Sequence, residues 1–263
     1  MKNMDGKSVI ITGAGTGLGA ATALALAKRG ANITVNYAAS AEAAAAVAEA
    51  CRAEGVKAFA VKGSVADFAD CESVVASARE AFGGVDVLIN NAGITKFADQ
   101  KDLDALEAED FERIYRVNVI GAYQMVRAAR KALDASGEGA VVNISSIAGV
   151  MGTGSSSAYA ASKGALNTLT LSLARSLAPR IRVNAVCPGY MASGWFTKWA
   201  GAQADGAIAR NIEQTTPLQR ASTPEDIAET VVYFASPASR HVTGEFIMID
   251  AGLHLGASPI KAR

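Results

Sequence analysis

The chain has 263 residues, half of them apolar, and its 25 lysines and arginines balance its 25 aspartates and glutamates. This length allows one large α/β domain or two small ones, and the even charge lacks the basic surplus that nucleic acids and anionic membranes attract. Three cysteines without C-x-x-C spacing and two histidines leave little for a disulfide framework, a metal site or a Ser-His-Asp triad. With no apolar leader and no run of about 20 apolar residues, we expect a soluble cytoplasmic protein that binds no metal, nucleic acid or membrane.

Short apolar runs that suit β-strands alternate with longer, alanine-rich helical segments. The runs are apolar nearly throughout, as in parallel strands buried on both faces. The strand candidates are 7–13, 31–37, 57–63, 85–91, 139–145, 181–187 and 245–250. The helical segments lie near 17–30, 40–54, 67–82, 103–133, 156–178 and 224–236. The alternation predicts an α/β fold of Rossmann type, a single domain over 1–263 with one doubly wound, parallel, seven-stranded sheet and helices on both faces.

The first strand runs directly into TGAGTGLG, in which Gly13, Gly17 and Gly19 precede an apolar helix. Glycines at such a junction let the backbone turn tightly and approach a pyrophosphate, while the helix N-terminus directs N–H groups at it. The spacing is G-x-x-x-G-x-G rather than the commoner G-x-G-x-x-G, so the turn alone is a weak signal. Its place after the first strand of an alternating α/β chain predicts a dinucleotide site, with Thr16 and Leu18 beside the glycines.

The end of the second strand bears on which dinucleotide binds. An acidic residue about 20 residues after the turn would bind the ribose hydroxyls of NAD. Here the strand ends in Asn36 and Tyr37, and Ser40 follows. No carboxylate repels a 2′-phosphate, and no Arg or Lys stands at 14–18 or 36–40 to bind one. Neutral donors from Asn36, Ser40 and the Tyr37 backbone favour NADP(H), with NAD(H) as the alternative.

The last predicted helix and the long stretch that precedes it carry different signals. The helix near 224–236 has a clear start, with Thr223 as N-cap, Pro224 at the first helical position and acidic residues in the first turn. The long stretch before it is unusual for a compact domain and carries several aromatic residues. We therefore expect a partly helical substrate flap at about 190–216. Its apolar side chains are Met191, Trp195, Phe196 and Trp199.

Tyr159 and Lys163 lie four residues apart, on one face of a predicted helix, but such a pair arises readily by chance. Five other signals accompany it in order: the glycine turn, NNAG, VNV with Asn118, NISS ending at Ser146, and PG before the flap. In this combination the chain resembles the short-chain dehydrogenase/reductase superfamily over almost its whole length. The strings VNYAAS, DVLINNAGIT and YAASKGAL are most similar to its 3-oxoacyl-thioester (acyl-carrier-protein) reductases.

The resemblance implies an enzyme that transfers a hydride between a nicotinamide cofactor and a carbonyl or secondary alcohol. Tyr159 would exchange a proton with the substrate oxygen, and Ser146 would hydrogen-bond that oxygen. Lys163 would hold the nicotinamide ribose and lower the pKa of the phenol, which is too high near neutrality when unperturbed. Asn118 would anchor a water that relays protons to Lys163, and Trp195 would contact the substrate.

The resemblance also implies which positions contact the cofactor. Beyond the glycine turn and the second strand they are Ser64, Val65, Asn91, Ala92, Gly93, Tyr159, Lys163, Pro188, Gly189, Met191 and Ser193. At Ser64 many relatives have an aspartate that binds the adenine, and here a hydroxyl stands in its place.

Three functions remain open. The first is reduction of a ketone or 3-oxoacyl group with NADPH, the second an NAD-dependent dehydrogenase of a sugar, steroid or polyol, and the third a non-catalytic dinucleotide-binding protein. No arginine stands in 188–209, where Lys198 is the one cation, which favours an uncharged carbonyl or the acyl end of a longer thioester. Helices at 103–133 and 156–178 commonly pair between subunits in this superfamily, so we expect a homotetramer.

Overall fold

The structure, a computed structural model, describes residues 3–195 and 197–256, apart from the side chains of 198–200 and 202–204. Seven strands form one sheet in which every neighbouring pair is parallel. They are β1 (Ser8–Ile11), β2 (Asn32–Tyr37), β3 (Ala58–Lys62), β4 (Val87–Asn90), β5 (Gly139–Ile144), β6 (Ile181–Pro188) and β7 (Phe246–Ile249). Their order across the sheet is β3-β2-β1-β4-β5-β6-β7. The predicted seven-stranded parallel sheet is confirmed.

Helices cover both faces of this sheet, as predicted. They are α1 (Gly17–Ala27), α2 (Ala41–Ala53), α3 (Phe68–Phe82), α4 (Ala108–Tyr115), α5 (Ala122–Ala135), α6 (Ala148–Met151), α7 (Ser157–Leu177), α8 (Thr197–Thr215) and α9 (Pro224–Ala235). Val9 and Ile11 of β1 belong to a core with α1, α2 and α9. Ile10 points to the other face and packs in a core with α3, α5 and α7. The alternation of strand side chains thus builds two apolar layers.

The N-terminus of α9 is the one that the sequence predicts. Thr223 caps the helix, Pro224 stands in its first turn, and the Thr223 hydroxyl accepts the Asp226 N–H at 3.3 Å. The Asp226 carboxylate in turn accepts the Thr223 N–H at 2.9 Å. This reciprocal capping box satisfies two backbone donors that would otherwise lack partners.

The helix predicted near 103–133 runs continuously over 108–135, but it begins later than predicted and contains a π-helical turn. A short 3₁₀ turn at Leu103–Ala105 is followed by α4, a π-helical turn at Arg116–Gly121, and then α5. An ideal Cβ on Gly121 would lie 2.7 Å from Val65 Cγ2, so the π-helical turn packs closely against the loop after β3. The four-residue α6 was not predicted, because it is too short to show helical periodicity.

The strand order places a crevice at the carboxyl ends of β1 and β4. β1 has β2 on one side and β4 on the other, so the chain winds outward in both directions from this point, where α/β sheets bind ligands. Helix α8 lies within 190–216 and bends at Gly201, where φ is 79°. A flap function for this segment and a single domain over the whole chain remain predictions. No helix in the described part of the chain is long and apolar enough to cross a membrane.

Candidate active site

A cavity of about 810 Å³ opens at the carboxyl ends of β1, β2, β4, β5 and β6. Two of the predicted site residues, Gly19 and Asn118, do not line it. All the others do: Gly13, Thr16, Gly17, Leu18, Asn36, Tyr37, Ser40, Ser64, Val65, Asn91, Ala92, Gly93, Ser146, Tyr159, Lys163, Pro188, Gly189, Met191, Ser193 and Trp195. The structure therefore brings residues from most of the chain to one place.

The glycine turn forms one end of the cavity. Gly13 and Gly17 have positive φ values of 62° and 55°, which residues with a Cβ rarely adopt. Helix α1 begins at Gly17, and the side chain of Thr16 makes no capping hydrogen bond, so it does not compete for the N–H groups of the first turn. An ideal Cβ on Gly19 would lie 2.6 Å from Asn91 Nδ2, so Gly19 permits a close approach rather than facing the cavity.

The turn is fastened to the loop after β4 through Thr12, which the sequence analysis did not single out. The Thr12 hydroxyl accepts the backbone N–H groups of Asn91 and Ala92, each at 3.0 Å. Asn91 Nδ2 donates to the carbonyls of Thr12 and Gly13 at 2.9 and 3.0 Å. The threonine before the first glycine was visible in the sequence, but its partners lie in a distant loop and were not.

Asn36 does not have the role predicted for it. Its Nδ2 donates to the Gly63 carbonyl at 2.9 Å and to the Val61 carbonyl at 3.4 Å, and the residue is buried. The amide therefore ties β2 to the end of β3 and is not a free donor for a 2′-phosphate. Tyr37 and Ser40 remain at the cavity, beside exposed Ala38.

The loop after β3 is held by hydrogen bonds within the loop and to side chains of α3 and α5. Ser64 Oγ accepts the Ala66 N–H at 3.3 Å, and the Ser64 N–H donates to the Asp70 carboxylate at 2.8 Å. The Val65 carbonyl accepts from Gln124 Nε2 at 3.0 Å. The hydroxyl that replaces the relatives' aspartate thus shapes the turn as well as lining the cavity.

Tyr159 and Lys163 meet at the centre of the cavity, on successive turns of α7. Ser156 begins this helix and accepts the Tyr159 N–H at 3.3 Å. Lys163 Nζ lies 5.5 Å from the centroid of the Tyr159 ring and donates to the Ile144 carbonyl at 2.7 Å. Ser146 follows β5, and its Oγ accepts the Ala148 N–H at 3.1 Å and donates to the Pro188 carbonyl at 3.5 Å.

Burial dominates the protonation of both groups. It lowers the pKa of Lys163 to about 8, because the ammonium is almost completely removed from water. It raises the pKa of Tyr159 to about 12, although the residue stays partly exposed at the cavity wall, and hydrogen bonding with Ser146 opposes this rise. A lowering of the phenol pKa by Lys163 remains a prediction.

Asn118 stands behind this group, in the π-helical turn. Its Oδ1 accepts the Ile94 N–H at 2.8 Å, and its Nδ2 donates to the Ile94 carbonyl and to Ser162 Oγ, each at 3.0 Å. An ideal Cβ on Gly93 would lie 3.5 Å from Asn118 Oδ1 and 3.6 Å from Lys163 Nζ. The side chain therefore fixes the backbone after NNAG beside the lysine, and a role in proton relay remains a prediction.

Apolar side chains from the segment after β6 and from α8 form part of the cavity wall. Trp195 is 37% exposed, and its ring centroid lies 6.4 Å from that of Tyr159. Ile208 of α8 and Leu253 near the C-terminus also line the cavity and were not predicted. Phe196 lies outside the described residues, as do the side chains of Lys198 and Trp199. Among the described residues that line the cavity, Lys163 has the only charged side chain.

Comparison with known proteins identifies the family. The family described as enoyl-(acyl carrier protein) reductase matches residues 13–254. An uncharacterized oxidoreductase of Methylorubrum extorquens is 42% identical over 254 residues, which cover 96% of this chain and 100% of that protein. A crystal structure described as a short-chain dehydrogenase/reductase from Burkholderia xenovorans superposes with a TM-score of 0.88 at 41% identity, covering 95% of this chain and 98% of that one. The chain belongs to the short-chain dehydrogenase/reductase superfamily.

Within this superfamily the chain is similar to carbonyl reductases. A 3-oxoacyl-[acyl-carrier-protein] reductase of Staphylococcus epidermidis is 36% identical over 250 residues, covering 95% of this chain and 99% of that protein. The resemblance found in the sequence is confirmed. As a short-chain dehydrogenase/reductase, the protein is an NAD(P)-dependent oxidoreductase.

The cavity of this short-chain dehydrogenase/reductase fits a nicotinamide dinucleotide. The turn at Gly13 and Gly17 and the N-terminus of α1 suit a pyrophosphate. Glycine-rich turns that lead into a helix bind this group in other dinucleotide-binding proteins. At the carboxyl end of β6, an ideal Cβ on Gly189 would lie 2.5 Å from Asp250 Cβ, so the backbone after Pro188 packs tightly against Asp250. Pro188 and Gly189 line the same cavity as Tyr159 and Lys163.

Proposed function

We propose that the protein reduces an uncharged ketone or a 3-oxoacyl group with NADPH. The observation that carries this proposal is the meeting of Ser146, Tyr159 and Lys163 in a cavity that has no other charged side chain among its described lining residues. A phenol and a hydroxyl can hold a carbonyl oxygen at this point, and among the described lining residues Lys163 alone could pair with a charged substrate.

In this mechanism Ser146 and Tyr159 bind the substrate oxygen and orient the carbonyl carbon. When bound, a nicotinamide cofactor would supply the hydride that this carbon accepts. Tyr159 donates its phenolic proton to the oxygen, so that the C=O bond becomes a secondary alcohol and the phenol becomes a phenolate. Lys163 stabilises this phenolate by its positive charge, and the phenolate regains its proton from solvent.

Reduction is the direction that we propose. Burial raises the pKa of Tyr159 to about 12, so the free protein keeps the phenolic proton that a general acid donates. The 3-oxoacyl reductase among the relatives supports the same direction. An NAD-dependent dehydrogenase of a sugar or polyol also fits less well with the wall of Trp195, Ile208 and Leu253.

The preference for NADPH is proposed from the adenosine end of the cavity. The residues Tyr37, Ala38, Ala39 and Ser40 line it, and none carries a carboxylate that would repel a 2′-phosphate. With the Asn36 amide bonded to Gly63, the donors left for the phosphate are the Ser40 hydroxyl and backbone N–H groups.

We also propose a homotetramer. Apolar side chains are exposed on the helices that are expected to pair. Ile120 lies just before α5, Tyr123 lies on α5 and Leu171 lies on α7, and each is nearly half-exposed. Phe246 is exposed on β7, the edge strand of the sheet. Burial of these surfaces between subunits would remove them from water.

The proposed chemistry is tested with the substitution Tyr159→Phe. We expect turnover of ketones and 3-oxoacyl thioesters to fall by about 10²- to 10⁴-fold, the range for loss of a general acid. NADPH binding, followed by nicotinamide fluorescence, should stay nearly unchanged because the ring is kept. Tyr233→Phe on α9, outside the cavity lining, is the matched control. Retention of most of the rate in Tyr159→Phe would remove this residue as the acid.

The cofactor preference is tested at Ala38, which is exposed at the cavity and has no side-chain partner to lose. Ala38→Asp should weaken NADPH binding by roughly tenfold through repulsion of the 2′-phosphate, and leave NADH binding nearly unchanged. Ala38→Asn is the uncharged control of the same size. Titrations of all three proteins with both cofactors measure the effect. Tighter binding of NADH by the unsubstituted protein would contradict the proposed preference.

A further inference from the structure

The segment between the sheet and α8 is closed into a loop by one carboxylate. Asp205 lies on α8, and its Oδ1 accepts the hydroxyl of Tyr190 at 2.6 Å, with a second contact at 3.2 Å from that hydroxyl to the Asp205 carbonyl. The other oxygen of the same carboxylate, Oδ2, accepts the hydroxyl of Thr197 at the start of α8. Tyr190 and Thr197 thus both donate hydrogen bonds to Asp205.

The first of these partners is fixed to the sheet. Tyr190 directly follows Gly189, whose N–H donates to the Ile249 carbonyl of β7 at 2.9 Å. The Tyr190 ring is buried, and burial together with the neighbouring Asp205 carboxylate raises the pKa of its phenol. The phenol therefore stays protonated and donates to a charged acceptor, which is the stronger kind of hydrogen bond.

Trp195 lies within this loop, between the two residues that bind Asp205. Its ring lies 6.4 Å from Tyr159 and forms part of the cavity wall, yet the residue is 37% exposed. Burial alone therefore does little to hold the indole in place. The hydrogen bonds on either side of it along the chain restrict where the backbone can carry the ring.

We propose that Asp205 is a positioning residue that, through Tyr190 and Thr197, holds Trp195 at the rim of the cavity beside Tyr159 and so sets the affinity for the carbonyl substrate. The effect on affinity rests on the proposed function. The effect on Trp195 does not, because it concerns the protein by itself. Asp205 touches neither cofactor nor substrate in this proposal.

The first test reads the position of Trp195 without cofactor or substrate. Trp199, the other tryptophan of the chain, is replaced by Phe in every protein, so that all indole emission comes from Trp195. Asp205→Asn and Tyr190→Phe should each shift the emission to longer wavelength and increase quenching by iodide, because the ring becomes more exposed. Gln214→Ala, an exposed change on the same helix, is the control and should do neither.

The second test separates substrate affinity from catalysis in the same proteins. Asp205→Asn and Tyr190→Phe should raise KM for the ketone by roughly tenfold, the loss expected for a hydrogen bond to a charged group. The values of kcat and of the NADPH dissociation constant should change by less than about twofold, the scatter of independent substitutions. The double variant should be no worse than Asp205→Asn alone, since Tyr190→Phe removes only a hydrogen bond that Asp205→Asn already weakens. In a Trp195→Ala protein, Asp205→Asn should raise KM no further.

The outcomes separate the two proposals. An unshifted Trp195 emission in Tyr190→Phe, which removes one hydroxyl and keeps the ring, overturns the positioning role even if Asp205→Asn fails to fold. Additive KM effects, or a loss confined to kcat, overturn it as well. If the unsubstituted protein reduces no carbonyl, the proposed function fails, and the emission measurements still decide whether Asp205 positions Trp195.

Discussion

Lys163 holds a positive charge where only 3% of the residue is exposed. The fall in its pKa from 10.5 to about 8 corresponds to roughly 3 kcal/mol of unfavourable free energy for the charged form, at about 1.4 kcal/mol per pKa unit. This cost is fully present below pH 8 and disappears as pH rises toward 10.5, because the unfolded chain keeps the proton over that range and the folded protein does not. The residue is therefore retained at a cost to stability.

Lys163→Met tests this cost. We expect the substitution to abolish turnover and to raise the free energy of unfolding at pH 7 by about 1–3 kcal/mol, less than the full cost because the hydrogen bond to Ile144 is lost. The difference in unfolding free energy between the two proteins should shrink between pH 8 and pH 10, because Lys163 of the unsubstituted protein loses its proton over this range. Urea unfolding of both proteins at several pH values measures the difference. A variant that is less stable at pH 7 would contradict this account.

Single residues were predicted well where a motif has a fixed spacing. Tyr159, Lys163 and Ser146 stand in order along the chain, and the structure brings them together. Asn36 was misjudged because its amide donates to the carbonyl of Gly63, which follows β3 and lies 27 residues away along the chain. Such a partner depends on strand register, which a single sequence does not show.

Two helices that carry the site approach each other through their backbones. An ideal Cβ on Gly149 of α6 would lie 2.4 Å from the carbonyl carbon of Lys163 and 2.5 Å from the N atom of Gly164, both on α7. Neither atom belongs to a flexible side chain. The short helix after Ser146 and the helix with Tyr159 and Lys163 therefore keep their distance only while position 149 has no Cβ.

Gly149→Ala should separate these helices. We expect a loss of about 1–3 kcal/mol in unfolding free energy, as for overpacking elsewhere, together with a fall in turnover because Ser146 moves relative to Tyr159. Gly84→Ala is the control, since an ideal Cβ there meets nothing within 4 Å and its φ is not positive. Thermal unfolding and kcat on the same preparations measure both effects. Equal stability of the two variants would show that α6 can move without cost.

Elements with strong local signals were predicted best. The start of α9 follows from its Thr-Pro-Glu-Asp sequence, because capping depends on neighbouring residues only. The π-helical turn between α4 and α5 was missed. It depends on the contact of Gly121 with Val65 and on the bonds of Asn118 to Ile94, which are set by tertiary packing.

At the scale of the whole molecule, the parallel sheet could be predicted because strands buried on both faces are apolar throughout. The placement of the glycine turn beside NNAG follows from the adjacency of β1 and β4, which the connection rules allow but a sequence pattern does not specify. The far wall of the cavity was the least predictable part. Ile208 and Leu253 come from a helix and a C-terminal turn that carry no motif.

The charge pattern of the cavity has a consequence for how ligands arrive. A chain with equal numbers of acidic and basic residues, and a cavity with a single charged side chain among its described lining residues, exerts little long-range field on an approaching molecule. Encounter with a neutral carbonyl compound is then governed by diffusion and by the fit at the rim, and the rate of capture is nearly independent of ionic strength. Selection among substrates takes place on contact rather than at a distance.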